Sequence, residues 1–101
     1  MALPTGTNYG QSVTKYAIAS ETKDWGSVND GDEAAEEVTV TGSQLGDFAL
    51  ASMSIDTTDI TLTATVTAAD TVTVILANNT GGAIDLGSGT LYVMGIPREV
   101  G

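Results

Sequence analysis

The stretch from Ile60 to Ala77, ITLTATVTAADTVTVILA, restricts the fold more than any other part of the chain. Ile60, Leu62, Ala64 and Val66 alternate with Thr61, Thr63, Thr65 and Thr67, and the alternation resumes with Val72, Val74 and Leu76 against Thr71 and Thr73. A period of two in β-branched residues is the mark of a half-buried strand, because successive side chains leave opposite faces of the pleat. Two such runs with a short connection predict an antiparallel hairpin. The connection holds no glycine and no Asn-Gly pair, so a loop of three to five residues fits it better than a two-residue mirror-type turn.

The remaining segments extend the same pattern. Val38 and Val40 alternate with Thr39 and Thr41 in a strand over 36–42. Two further strands, within 47–53 and over 90–96, are apolar on both faces. Phe48 and Leu50 oppose Ala49 and Ala51, and Tyr92, Met94 and Ile96 oppose Leu91 and Val93. Pro97 ends the last ladder because it has no N–H to donate. Turn signals every eight to twelve residues and no sustained 3.6-residue period predict an all-β fold of about six strands. The expected architecture is a small antiparallel β-sandwich, jelly-roll-like or barrel-like. Residues 21–101 form the expected domain. Residues 1–20 read as a loose terminus or as an extended N-terminal arm that docks on a neighbour through Leu3, Tyr9, Val13, Tyr16 and Ile18.

Charge and composition remove whole classes of function. Thirteen acids face only Lys15, Lys23 and Arg98, for a net charge of −10. That balance opposes nucleic acid, whose binding draws on Lys and Arg at phosphates, and it opposes anionic membrane surfaces. With no histidine and no cysteine, the commonest general base and the commonest transition-metal ligands are missing. The chain therefore reads as no enzyme, with no cofactor and no metal. The acidic run 29–37, NDGDEAAEE, lacks the spacing of a calcium loop and reads as a solvated turn leading into a strand. The glycines of 77–90 lie in a long loop without the lysine or the helix of a phosphate cradle. Asn78-Asn79-Thr80 matches a glycosylation sequon in form alone.

A domain of this length buries only about two-thirds of its unfolded surface, so association would stabilise it. The two-sided strands carry more apolar surface than one small sandwich can enclose, and clustered apolar surface marks an interface. Phe48, Leu50, Tyr92, Met94 and Ile96 are the expected contacts between identical subunits.

Three segments together resemble a short β domain that recurs in phage virion proteins. They are a Gly-x-x-x-Gly-Asp segment from Gly42 to Asp47, the hairpin Val66 to Val74 with its Ala-Ala-Asp-Thr core, and Asn78 to Leu86, an Asn-x-Thr-Gly-Gly-Ala-x-Asp-Leu loop. The likeness spans residues 24 to 96 and includes no catalytic signature. Domains of that kind look like trimeric modules of capsid decoration (cement) proteins, head fibres and tail fibres. The resemblance implies a homotrimer on the outer capsid surface of a virion, with the major capsid protein as partner; the arm residues Leu3, Tyr9, Val13, Tyr16 and Ile18, outside the span of the likeness, are then the expected capsid contacts. The short chain fits a stand-alone decoration protein better than a fibre end. The alternative is a fibre or appendage module that reads a host glycan or protein, with Trp25, Tyr9, Tyr16 and Tyr92 as the aromatics available to it. A calcium-stabilised β module is a third reading.

Overall fold

The computed structural model of the chain describes residues 17–57 and 59–98, and among these there are eight strands and no helix. The strands are β1 (Ala17–Asp24), β2 (Ser27–Val28), β3 (Glu33–Thr39), β4 (Phe48–Met53), β5 (Thr61–Ala68), β6 (Thr71–Ala77), β7 (Ile84–Asp85) and β8 (Ser88–Ile96). Two antiparallel three-stranded sheets, β1-β8-β4 and β3-β6-β5, pack as a small β-sandwich, and β2 pairs with β7 in a short ribbon.

The predicted hairpin is β5 and β6, and β6 is the central strand of its sheet. Val72, Val74 and Leu76 are fully buried, flanked by Val38 on β3 and Val66 on β5. Leu91 and Val93 of β8 close the core from the other sheet, with Ala17, Ala19, Ala49 and Ala51 packed around them. Trp25 and Val28 are also buried, so the Trp25–Val28 segment belongs to the domain core.

The hairpin connection differs from expectation. Only Ala69 and Asp70 separate the strands, and the register slips between Val66 and Ala68, where a bulge absorbs the additional residue. Asp70 supplies the left-handed backbone (φ 61°) that a glycine would otherwise provide. Short polar side chains tolerate that conformation when they bond locally. Here the Gly42 N–H donates to Asp70 Oδ1 at 2.7 Å, the Asp70 N–H to the Ser43 carbonyl at 2.8 Å, and the Val40 N–H to the Asp70 carbonyl at 2.8 Å. The hairpin tip is thus tied to the 40–47 loop, which turns through Gly42 and Gly46, both at positive φ.

Two other expectations are corrected. From Glu33 onward, the acidic run is strand β3 and not turn, because the apolar central strand β6 needs a partner on its second edge. Ala34 and Glu36 point inward there, while Glu33, Ala35 and Glu37 face solvent. The 77–90 segment is a loop only over 78–83. Ala77 ends β6, 84–85 form β7 and 88–90 open β8, and Asn78, the first loop residue, is buried.

Hydrogen bonding explains that burial. Asn78 is fully enclosed, and its amide donates to the Val28 carbonyl at 2.7 Å and the Gly82 carbonyl at 2.8 Å. Its Oδ1 accepts from the Thr80 N–H at 3.0 Å and the Thr80 hydroxyl at 2.8 Å. Its backbone exchanges bonds with Gly31 and Asp32. Both amide hydrogens are committed, so the sequon carries no accessible glycan acceptor.

The arm boundary expected at residue 20 falls inside β1. Ala17 to Ser20 pair with Gly95 to Tyr92 on β8, which puts Ile18 on the sandwich itself. Leu3, Tyr9, Val13 and Tyr16 lie outside the described residues.

Candidate interaction surface

Strand alternation decides which side chains of the β1-β8-β4 sheet face away from the core. The register sets Ile18, Met94 and Leu50 in one row across three strands, with Phe48 beside Ile96 in the next row and Ser20, Tyr92 and Ser52 in the row on the other side. All five residues expected at a subunit interface therefore share one face. Phe48 is 63% exposed, Leu50 59%, Ile18 58% and Tyr92 45%, while Met94 and Ile96 are half-buried. A shallow groove of about 470 Å³ runs along Ile18, Leu50, Tyr92 and Met94.

Sequence alone places Ile18 in the arm, because the flanking residues show little periodicity. Its pairing with Met94 gives it away only once β8 is placed. Leu45, outside the two-sided strands, is also 63% exposed. It sits in the 40–47 turn at the Phe48 end of the sandwich, where its carbonyl accepts from Arg98 Nη1 at 2.9 Å. An apolar side chain between Gly42 and Gly46, in a tight turn, has no interior to enter, and that is the signal available in the sequence.

Charge is distributed around this face, not on it. The outward positions from Ile18 to Thr22 on β1, Phe48 to Ser52 on β4 and Thr90 to Ile96 on β8 hold no ionisable group except the tyrosine phenol. At the opposite end of the sandwich from Phe48 lie Asp24, Asp30, Asp32, Glu33, Asp56, Asp59 and Asp85, in strand ends and connections. The nearby base, Lys23, is held by Glu36 Oε1 at 3.0 Å and rests over the Trp25 ring, 4.9 Å from its centroid. The sandwich thus has an apolar face and an acidic pole.

Glu21, Glu36 and Lys23 bridge the open side of the sandwich, between β1 and β3. A hydrogen bond with Glu36 holds the Glu21 carboxyl above its ordinary pKa, reinforced by partial burial and by the Glu36 charge. The same bond, with that from Lys23, lowers Glu36. Lys23 and Glu36 thus link the edge strands β1 and β3 through their side chains, beside Glu21, without a backbone ladder.

Asp47 pins the chain after β8. Its Oδ1 accepts from the Arg98 N–H at 3.2 Å and from Arg98 Nη1 at 3.1 Å, while Oδ2 accepts from the Gln44 N–H at 3.1 Å. These donors, the Arg98 N–H first, lower its pKa. A carboxylate depressed in the folded state contributes stability above its unfolded pKa, and that contribution is lost as pH falls through the folded value. Asp47→Asn is therefore expected to melt below the wild type at neutral pH. The gap should close as pH drops from about 4 downward, which thermal unfolding across a pH series measures.

Two further chemistry-bearing side chains are enclosed by the fold. Trp25 is buried and cannot stack on a sugar. Ser43 Oγ is buried without a hydrogen-bond partner and lies over Gly95, where a Cβ would approach it to 2.7 Å, so it is not presented to a substrate. Among the described residues no three His, Cys, Asp or Glu side chains are grouped to hold a metal ion. No family model, curated protein or solved structure matches the chain.

Proposed function

We propose that the chain is a structural virion protein of a phage, a capsid decoration (cement) protein that binds the outer capsid surface as a homotrimer and catalyses no reaction. The observation that carries this reading is the charge-free apolar face of the β1-β8-β4 sheet on a protein of net charge −10. Such a surface is costly to expose, and it serves association. Polar residues elsewhere support the fold: Asp47, Asp70 and Asn78 each tie a turn or loop to a distant segment. The segments that carry the resemblance to virion domains hold these residues, so that resemblance lies in the scaffold and agrees with a structural role.

A trimer that meets the major capsid protein at several points stabilises a shell by multivalency, since each further contact is made at high effective concentration. Capsids prepared without this protein are the direct test. Saturable co-sedimentation with them, and a rise in the temperature at which they release their contents, are expected. Failure to bind at micromolar concentration overturns the reading.

A further inference from the structure

Among the described strands, β1, β4, β3 and β5 each pair on one side only. Such edges template pairing with another chain, and charged side chains normally blunt them. β1 carries Glu21, Lys23 and Asp24, and β3 carries Glu33, Glu36 and Glu37, whereas β4 and β5 carry no charge. Of the uncharged two, β5 is rich in β-branched residues and β4 has none. From Ile60 to Ala69 the chain holds no charge, proline or glycine, and from there to Ile84 the one ionisable residue is Asp70. High strand preference with low charge and no proline is the composition that stacks into cross-β ladders.

The alternation selects the partner. From Thr61 to Thr67, threonines hold the outward positions of β5, and Leu62, Ala64 and Val66 the inward ones. Beside a second β5, parallel or antiparallel, any register that keeps this two-residue period sets threonine on threonine and apolar on apolar. Threonine pairs across strands are stabilising, and the fold already makes one, between the hydroxyls of Thr67 and Thr73 at 2.8 Å. In the folded chain the edge is sheltered, because β5 runs beside β4 of the other sheet with no ladder between them. The net charge of −10 also holds copies apart at neutral pH, and at the isoelectric pH of about 4.1 that repulsion is gone. The strands in broadest contact with β5, namely β6 and β4, hold no titratable group. The acids around it are Asp59 before it, Asp70 after it, and Glu33, Glu36 and Glu37 beyond β6, on β3.

We propose that β5, with β6 behind it, is the segment through which copies of this chain convert from the sandwich into cross-β fibrils once charge repulsion is removed. The inference stands apart from the proposed capsid role, since it draws on the other sheet. The full chain, agitated at its isoelectric pH and at neutral pH, tests it. Fibrils that bind thioflavin T and diffract at about 4.8 Å and about 10 Å are expected at the isoelectric pH, with the amides of 61–77 protected from hydrogen exchange. Thr63→Lys with Thr65→Lys puts two charges at exposed, outward positions of β5. At that variant's own isoelectric pH the lag before growth should lengthen at least about tenfold. Thr41→Lys with Gln44→Lys adds the same charge in the exposed 40–47 loop, and its lag should stay within about twofold of the wild type at its own isoelectric pH. Lost native stability would speed growth, so a slower β5 variant does not report a folding defect. Amorphous precipitate or no aggregate, equal growth at neutral pH, a protected core outside 61–77, or a β5 variant as fast as the loop variant each overturns the inference.

Discussion

Asn78→Ala is expected to lower the stability of the fold by about 3 kcal/mol, a fall in Tm on the order of 15 °C for a domain of this size. The side chain is fully buried and makes four hydrogen bonds. Truncation leaves the Val28 carbonyl without a partner in the interior, where an unmade bond costs about 1–3 kcal/mol. The Gly82 carbonyl and the Thr80 N–H, nearer the surface, regain water at smaller cost. Loss of the amide volume adds a cavity where the 78–83 loop meets the 29–32 turn. Asn78→Asp should fare no better, because it keeps the acceptor, loses both donors and buries a charge. Thermal and urea unfolding followed by circular dichroism measure the difference. A loss below about 1 kcal/mol for the alanine variant would mean that the loop is not held through this residue.

That residue also shows where sequence reading stops. The strand core was legible because it depends on alternation alone. Val72, Val74 and Leu76 fall on one face of β6 and Leu91 and Val93 on one face of β8, and all five are buried. Asn78 sits at the next inward position after Leu76, with the same alternation, but a polar residue beside glycines resembles loop. Its burial is tolerable because the carbonyl of Val28, fifty residues away in sequence, and the nearby Gly82 and Thr80 satisfy the amide. The hairpin tip is illegible for a related reason. Asp70 adopts the left-handed backbone because Gly42 and Ser43, far upstream, engage it. The acidic stretch from Glu33 became a strand because β6 required a partner, a tertiary demand that outweighs the low strand preference of glutamate. For the candidate surface, Phe48, Leu50, Tyr92, Met94 and Ile96 could be named from two-sided alternation, yet their assembly on one face with Ile18 depends on β8 lying between β1 and β4.

Leu50→Asp separates that surface from the fold. Leu50 points outward from β4 and is 59% exposed, so in the isolated subunit an aspartate there meets water. The expected change in its unfolding free energy stays within about 1 kcal/mol, the range of strand preference and surface substitution. In an assembly that covers the face, the same carboxylate loses its water and finds no cation, since the surrounding outward positions are uncharged. An unpaired buried charge of this kind costs several kcal/mol and is enough to prevent association at micromolar concentration.

Sedimentation equilibrium of the wild type and Leu50→Asp at micromolar concentration and moderate salt is the most direct measurement of an assembly role for this face. About three times the 10.2 kDa chain mass is expected for the wild type and the single-chain mass for Leu50→Asp, with unfolding temperatures within a few degrees of each other at concentrations where each is monomeric. A wild type that stays at the single-chain mass, or a Leu50→Asp variant that assembles as the wild type does, would contradict the assembly role.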